Sequence, residues 1–325
     1  MAITLTDTNN YIGQLFDLGG GDNDPIAPFF FMIRNNLRRS TSRTFSMGVK
    51  RELSNASMSA VSETVASGSF TPMTQERTQN IGYAQIQYSP VEVGLIAQSE
   101  IGLRGGINID GSTEIRDVLS EQRESALMQM DIDVDYAFIN GTEVAPATPA
   151  TVGATKGIIN ASSSNVDAAG GVLTMNMLES LYKMKVDASG RFNNDSVMLC
   201  NTTRLLEISK LYGFQPASVL QGGVNIQRIV TPFGILRVEY EPHMPDAALQ
   251  LVDLGACAPV IMPLQTSRFS KYVNLENITD INAGVDAGWV EKDSVGAAIG
   301  GYIMLVVGLD YTDGKYHANI TDLAV

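Results

Sequence analysis

The chain has 325 residues, of which 44% are hydrophobic and 18% are charged, a composition typical of globular proteins and unlike that of disordered ones. Its formal net charge of -13 argues against a protein whose main task is to bind nucleic acid, because phosphate contacts need clustered lysine and arginine. No run of about 18 apolar residues predicts a transmembrane helix, and the N-terminus lacks the basic start and apolar core of a secretory signal. The sequence therefore predicts no membrane association.

Residues 1–50 predict an extended N-terminal arm. The glycines at 19–21 interrupt regular structure, and only residues 29–37 are predicted to form a short element. The triple glycine is not a phosphate-binding loop, because no strand precedes it and no Gly-Lys-Ser/Thr follows it. From residue 25 to residue 51 the chain has no acidic residue, but it has these basic ones: Arg34, Arg38, Arg39, Arg43, Lys50 and Arg51. We interpret the segment as a basic arm that lies on an acidic neighbour, in preference to a nucleic-acid-binding arm.

Two segments of alternating polarity, residues 60–66 and 81–88, predict the legs of a β-hairpin. Neither leg carries enough apolar surface for a core of its own. Because an isolated two-stranded hairpin is only marginally stable, we expect this one to pack on another surface, such as another copy of the chain.

Residues 110–142 predict one long amphipathic helix, because their apolar residues follow the i, i+3, i+4, i+7 spacing of a single stripe. The stripe consists of Ile115, Val118, Leu119, Ala126, Leu127, Met130, Val134, Ala137 and Phe138. Ser112 or Thr113 can cap the start, and Gly141 is expected to end the helix in a left-handed conformation. The helix would span about 27 residues, or roughly 40 Å, and we interpret it as a rod that carries other parts of the fold.

The second half of the chain begins with a predicted α/β segment. A helix is expected at 174–186, a buried strand at 197–200 and a second helix at 201–212. The first helix has one apolar face, formed by Leu178, Leu181 and Tyr182. Further strands are predicted at 226–230, 235–240, 249–253 and 259–262, the first two as a hairpin. The tail is mostly strand-like, with 302–308 as its best central strand.

The chain carries no catalytic or metal-binding motif. His243 and His317 are its only histidines, and neither has a second histidine or a cysteine at metal-ligand spacing. Cys200 and Cys257 are its only cysteines, and each lies in an apolar run, which indicates a buried, reduced pair. The turn after the strand at 197–200 has no glycine, so dinucleotide binding is not predicted. We therefore predict no catalytic, cofactor-binding or metal site and a protein that is not an enzyme.

An acidic run within the long helix suggests calcium at first sight. On a helix, however, Asp133 would point away from the face shared by Asp131 and Asp135, and the run lacks the glycine and distal glutamate of a calcium loop. We interpret the run as the solvated end of the helix. Glu241 lies near His243 in sequence, but a proline separates them and no pocket is implied.

Three stretches, taken in order, resemble the major capsid protein of tailed bacteriophages, which has the Hong Kong ninety-seven fold. The first is the long helix with its ending Asp-Tyr-Ala-Phe-Ile-Asn-Gly at 135–141, similar to the spine helix of that family. The second runs from 60 to 95 and is similar to the family's extended loop, in which an acidic residue, here Glu63, recurs. The third runs from 197 to 253 and resembles the axial domain. The match covers roughly residues 45–325.

The resemblance implies an α+β protein with the parts of that capsid fold. These parts are an N-terminal arm at 1–50, an extended β-hairpin loop at 51–92, a peripheral domain at 93–172 with a spine helix at 113–140, an α/β axial domain at 173–263, and a return to the peripheral domain at 264–325. It also implies a function: self-assembly into the icosahedral head shell of a tailed bacteriophage.

The resemblance further implies partners and a location. The chain would assemble with many copies of itself as pentamers and hexamers around double-stranded DNA, without sequence-specific binding, in the virion capsid after assembly in the host bacterial cytoplasm. A portal is a further implied partner, and a decoration protein is a possible one. The family's charged N-terminal scaffolding segment has no room here, which implies a separate scaffolding protein, and Met1 suggests no maturation cleavage. No lysine lies between Lys50 and Lys156, so we expect no cross-linked ladder on a denaturing gel.

Our hypothesis for the contacts between subunits is that the basic arm clamps an adjacent acidic subunit. The residues assigned to these contacts are Arg34, Arg38, Arg39, Arg43, Arg51 and Glu63. Two alternatives stay open. One is the shell protein of a cellular encapsulating compartment, with an enzyme cargo and no DNA, and the other is an uncharacterised α/β enzyme that uses carboxylates.

Overall fold

The computed structural model describes most of the chain: residues 27–51, 77–94, 118–148, 151–189, 192, 195–212, 219–221, 224–226, 228–263, 275–279, 286–292 and 298–324. The helices are α1 (Pro28–Ile33), α2 (Val118–Asn140), α3 (Ile158–Ala161), α4 (Met175–Ser189) and α5 (Thr202–Leu211). The first strands are β1 (Arg38–Arg39), β2 (Thr44–Arg51), β3 (Arg77–Tyr83), β4 (Gln85–Gly94), β5 (Ser164–Asp167) and β6 (Ser196–Cys200). The remaining strands are β7 (Val219–Gln221), β8 (Val224–Ile226), β9 (Arg228–Thr231), β10 (Gly234–Tyr240), β11 (Leu249–Asp253), β12 (Ala258–Ile261), β13 (Leu275–Thr279), β14 (Asp286–Lys292), β15 (Ala298–Asp310) and β16 (Ala318–Thr321).

The longest strand, β15, organises the first sheet. It pairs antiparallel with β4 on one edge, and with β14 and β12 in succession on the other. The full order is β1-β12-β15-β14-β13, with β4 attached to β15. The predicted central strand at 302–308 is therefore confirmed, and we call this sheet the β15 sheet.

The second sheet has the order β5-β16-β11-β6-β10-β9, and we call it the axial sheet. Every residue of β6 and β11 is buried, because the sheet is covered on both faces. In β6 the buried side chains alternate between two hydrophobic clusters, with Val197 and Leu199 in one and Met198 and Cys200 in the other. The expected strand at 197–200 and the hairpin of β9 and β10 are confirmed.

Helix α4 covers one face of the axial sheet with the predicted side chains. Leu178, Leu181 and Tyr182 are all buried in the cluster that contains Met198. Helix α5 begins at the predicted place because the side chain of Asn201 accepts a hydrogen bond from the backbone N–H of Arg204, which caps the helix. The local pattern of apolar residues and caps was sufficient to locate both helices.

The long helix packs against the β15 sheet. Its described part is α2, and the predicted start at 113 lies outside the described residues. The stripe is confirmed where side chains are described: Ala126, Met130, Val134, Ala137 and Phe138 are buried, and Leu127 is partly buried. The stripe packs on α1, β4 and β15, so one helix holds the N-terminal segment against the β15 sheet.

The described part of the predicted arm begins as a helix and continues as the strands β1 and β2. Residues 28–36 form α1 and one turn of 3-10 helix, which agrees with the short element expected at 29–37, and Phe29, Phe30 and Ile33 are fully buried. Each such side chain contributes about 1.5–3 kcal/mol by leaving water. Strand β1 then joins the edge of the β15 sheet next to β12. Residues 27–33 are therefore anchored in the core, whereas Arg38 and Arg39 of β1 are exposed.

The second leg of the predicted hairpin divides between two sheets at Ala84. Residues 81–83 pair with Thr44–Ser46 of β2, whereas residues 85–88 pair with β15. The first predicted leg, at 60–66, lies outside the described residues. The alternating pattern identified the strands but not their partners, because a period of two is the same whichever strand lies alongside.

Three strands exchange between the two sheets relative to their order in the chain. Strand β12 follows β11 in the chain but lies in the β15 sheet, while β5 and β16 lie in the axial sheet on either side of the long chain segment between them. Sequence order alone could not reveal this exchange, because each strand completes a sheet whose other members lie far away in the chain. Among the described helices, none is both long enough and apolar enough to cross a membrane.

Gly141 ends α2 for a reason other than the expected one. Its backbone is not in the left-handed region, in contrast to Gly170 and Gly234. A Cβ atom at position 141 would instead lie 2.4 Å from the carbonyl oxygen of Ala137 and 2.6 Å from that of Thr155. Glycine is needed here so that the backbone of residues 155–157 can approach the end of the helix, where Gly157 N–H donates to Gly141 O at 2.8 Å.

We expect Gly141→Ala to lower the free energy of unfolding by about 1–3 kcal/mol, because both contacts are with backbone atoms that cannot rotate away. The matched control is Gly94→Ala at the end of β4, where a Cβ atom would meet nothing within 4 Å. Urea unfolding followed by circular dichroism measures both. Equal stability of the two variants would contradict the close-approach explanation.

Candidate functional site

Three ionisable side chains from distant parts of the chain meet in the interior. Asp135 lies in α2, whereas Glu241 and His243 lie in the turn that follows β10. His243 Nδ1 is 2.9 Å from Asp135 Oδ2 and 3.2 Å from Glu241 Oε1. Both carboxylate side chains are 0% exposed, and the imidazole is 16% exposed. We call these residues the Asp–Glu–His cluster.

The backbone of α1 fixes the outer oxygen of each carboxylate. Phe30 N–H donates to Asp135 Oδ1 at 2.7 Å, and Phe29 N–H donates to Glu241 Oε2 at 3.0 Å. These amides belong to the first turn of a helix, where no acceptor within the helix exists, so the carboxylates satisfy donors that would otherwise be unpaired. Each carboxylate thus has one oxygen directed at α1 and the other at His243.

The turn that carries Glu241 and His243 is itself held at both ends. Glu241 N–H donates to the carbonyl oxygen of Cys200 at the end of β6, at 2.9 Å. The side-chain amide of Asn140 donates to His243 O at 2.8 Å, and the ring of Tyr136 meets the imidazole edge-on with centroids 6.2 Å apart. The cluster therefore joins α1, the long helix and the axial sheet at one point.

The ionisation of the cluster follows from these contacts. Hydrogen bonds to Asp135 and Glu241 raise the pKa of His243 to about 9, against the opposing effect of its partial burial. Burial raises the pKa of Asp135 to about 7, and the hydrogen bond from His243 limits the rise. At neutral pH the imidazole is therefore protonated and serves as the counter-charge of two buried acids.

The prediction that the acidic run is the solvated end of the helix was wrong for Asp135, which is fully buried. It was right for Asp133, which is exposed and accepts a hydrogen bond from Gln129 at 3.0 Å. A signal existed in the sequence: Asp135 lies three and four residues before Phe138 and Ile139, on the edge of the apolar stripe. Its partners could not be read in the same way, since they lie more than 100 residues away.

His317 and the two cysteines are buried, and Cys257 Sγ lies 4.0 Å from His317 Nε2. Cys200 and Cys257 are both free and buried, as expected. Burial raises the pKa of the Cys200 thiol to about 12, and it also raises the pKa of Cys257, so neither is a reactive thiolate. His317 Nε2 donates to the carbonyl oxygen of Tyr311 at 3.0 Å, while Nδ1 accepts from Asp253 N–H. This arrangement needs the neutral imidazole.

We expect the stability of the subunit to fall between pH 6.5 and pH 4.5 partly because of His317. Burial lowers its pKa to about 4, so the unfolded chain binds a proton in this range that the folded chain does not. The loss is roughly 2–3 kcal/mol. Urea unfolding of the wild type and of His317→Gln at both pH values measures it. If the variant lost as much stability as the wild type between the two pH values, groups other than His317 would be responsible.

The arginines assigned to contacts between subunits differ in their exposure and in their contacts within the subunit. Arg38 is exposed but forms an ion pair with the buried carboxylate of Asp310, and Arg34 lies over the ring of Phe31 at 4.7 Å. Arg39 is exposed, Arg43 lies beside Gly153, the side chain of Arg51 is not described, and Glu63 lies outside the described residues. The role of these residues between subunits stays a prediction.

The hairpin of β9 and β10 presents apolar side chains to the surface. Val230 and Ile235 face each other across the two strands, and they are 80% and 43% exposed. Phe233, in the turn between them, is 42% exposed. Among the described strands β9 is also the edge of the axial sheet, and an edge strand that presents apolar side chains is typical of an interaction surface.

Comparisons with known proteins give one consistent result. The family model of the SU10 major capsid protein matches residues 4–324. Among solved structures, the Cyanophage A-1(L) capsid is similar with a TM-score of 0.65 and 12% identity, over 92% of this chain and 93% of that chain. The capsid of Myoviridae Phage XM1 has a TM-score of 0.55 and 11% identity, over 98% and 99%. The holo-SrpI encapsulin complex from Synechococcus elongatus has a TM-score of 0.57 and 11% identity, over 96% and 93%.

No curated protein is a significant match by sequence. The structural similarities, at such low identity, show a mixed helix and strand fold shared with phage capsid shells, and they confirm the Hong Kong ninety-seven type expected from the sequence. The family match spans nearly the whole chain, and it confirms the expected tailed-phage major capsid protein, a structural component of the virion shell assembled from many copies. The chain belongs to the SU10 major capsid protein family.

Proposed function

We propose that the chain assembles as pentamers and hexamers into an icosahedral head shell that encloses double-stranded DNA. The observation that carries the proposal is the family match over residues 4–324. The net charge of -13 supports it, because a lining that repels phosphate lets packaged DNA slide. The apolar hairpin of β9 and β10 supports it too, since such a surface needs a partner, and in a shell the partner is a second copy.

The proposal extends to the parts and partners of the shell. In this proposal the β15 sheet with α2 serves as the peripheral domain, the axial sheet with α4 and α5 as the axial domain, and residues 51–84, which precede β4, as the extended loop. A separate scaffolding protein, a portal and a decoration protein assist assembly in the host bacterial cytoplasm. DNA is enclosed without sequence-specific binding.

Electron microscopy with nuclease treatment tests the proposal. The chain is expressed in a bacterium with and without the other head proteins of its virus, and particles are treated with nuclease before extraction of nucleic acid. Closed shells built of pentamers and hexamers, with protected DNA in the complete set, are the expected result. Small, uniform oligomers under every condition would overturn the proposal.

A second candidate is the shell of a cellular encapsulating compartment, because the fold is also similar to that of the SrpI encapsulin complex. The same experiment separates the two functions. Particles that contain co-purifying protein cargo and no protected DNA would favour the compartment. The family is one of structural capsid proteins, so it gives no support to the alternative of an α/β enzyme.

We expect the charge reversal Arg38→Glu with Arg39→Glu to reduce the yield of particles by about tenfold, because the reversed arm would repel an acidic neighbour. Particle yield is measured by sedimentation, and the melting temperature of the unassembled subunit is measured beside it. The control is Asp310→Asn, which breaks the ion pair of Arg38 within the subunit but keeps the charge of the arm. If the control lowers the yield as much, the arginines act within the subunit and the clamp hypothesis fails.

A further inference from the structure

We propose that the Asp–Glu–His cluster is a binding site for a divalent transition-metal ion, of which Zn²⁺ is the best representative. The ligands are Asp135 Oδ2, Glu241 Oε1 and His243 Nδ1. The inference is independent of the shell function, because it concerns the interior of one subunit.

The geometry is that of three ligand atoms directed at one point. Asp135, Glu241 and His243 each offer one such atom, and all three lie within 4.8 Å of one another. The nitrogen is 2.9 Å from one carboxylate oxygen and 3.2 Å from the other. Three ligands of a tetrahedral Zn²⁺ ion, at about 2.0–2.2 Å from the metal, are roughly 3.3–3.5 Å apart. A small outward movement of the side chains is enough to admit the ion.

The groups around the ligands already form hydrogen bonds that hold the ligands in place. The second oxygen of Asp135 is held by Phe30 N–H and that of Glu241 by Phe29 N–H, which directs the inner oxygens at the imidazole. Asn140 fixes the backbone of His243. Such outer hydrogen bonds orient the ligands of metal sites and are as much a part of them as the ligands. Helix α1 supplies only these supporting amides and no ligand.

The charge of the cluster favours a divalent ion. The side chains of Asp135 and Glu241 are both fully buried with one imidazole between them, and a buried pair of acidic side chains is stabilised by positive charge at the oxygens they share with His243. Zn²⁺ supplies two positive charges at that place, and His243 binds it as the neutral imidazole, the form in which histidine ligates metals.

The set of ligands and its accessibility select the kind of ion. One imidazole nitrogen with two carboxylate oxygens suits Zn²⁺ or Mn²⁺, whereas Mg²⁺ and Ca²⁺ prefer oxygen ligands alone. The imidazole side chain is 16% exposed, so one ligand of the site borders solvent. Once bound, the ion would lock the long helix to the axial sheet.

Equilibrium dialysis of the full-length chain against Zn²⁺ tests the proposal. Protein stripped with EDTA is dialysed at pH 8 against micromolar ZnCl₂, and bound metal is measured by mass spectrometry. We expect one Zn²⁺ per chain and a rise in melting temperature of about 2–4 °C. Co²⁺ in place of Zn²⁺ should give the visible absorption of a tetrahedral nitrogen and oxygen site, without the charge-transfer band of a thiolate. That band would instead indicate binding at a cysteine.

Matched variants locate the site. Asp135→Asn and His243→Gln are expected to weaken binding by more than roughly tenfold, whereas Asp133→Asn, an exposed acid on the same helix, leaves it unchanged. Equal binding by all three variants would overturn the proposal. If Asp135→Asn and His243→Gln fail to fold, the wild type alone decides, because less than a tenth of a Zn²⁺ per chain under these conditions would also overturn it.

Discussion

Replacement of Phe138 by alanine is expected to lower the free energy of unfolding by about 3–5 kcal/mol. The side chain is fully buried, and it meets the ring of Phe30 edge-on with centroids 5.9 Å apart. Its loss leaves a cavity between the long helix and α1, where the two helices have no other aromatic pair among the described residues. The N-terminal segment should lose much of its anchorage as a result.

Urea unfolding measures this effect, and Tyr136→Ala is the matched control. Tyr136 is an aromatic residue of the same helix, but it is 57% exposed. Its truncation should cost about 1 kcal/mol, mainly from the edge contact with the ring of His243. Similar losses in both variants would show that α1 does not depend on Phe138.

His243→Ala is expected to cost about 3–5 kcal/mol in EDTA-containing buffer, because it leaves Asp135 and Glu241 buried side by side without a counter-charge. The cost arises from the unpaired acids and not from the loss of favourable contacts. The triple variant Asp135→Asn, Glu241→Gln, His243→Ala removes those acids as well, and we expect it to be more stable than the single variant. Unfolding midpoints in urea at pH 7 measure both. A triple variant less stable than His243→Ala would contradict this account.

The sequence was sufficient wherever local pattern determines structure. The stripe of α2, the apolar face of α4 and the cap at Asn201 all depend on residues within a few positions of one another, and these predictions were confirmed. The strands β6 and β11 were also recognisable, since runs of buried side chains are typical of a sheet covered on both faces. Strand β10 is only partly buried and was recognisable as one leg of a hairpin.

The rest depends on contacts between distant residues. Phe29 and Phe30 lie among interrupting glycines and prolines and suggested an arm, but the hydrophobic surface of α2 was available to bury them. The Asp–Glu–His cluster joins residues more than 100 positions apart, and no spacing rule connects them. Gly141 was recognised as the end of a helix, but the need for glycine comes from a loop that returns to it.

The order of the axial sheet has a consequence for the timing of synthesis. Strand β16 lies between β5 and β11, with Ala318 opposite both Ser164 and Leu251. Strand β5 is therefore synthesised more than a hundred residues before β16, the strand that joins it to the rest of the sheet. The axial sheet is thus incomplete until β16 has been made, although its other five strands all precede β16 in the chain. Any contact between copies that needs the complete sheet has to follow the synthesis of β16.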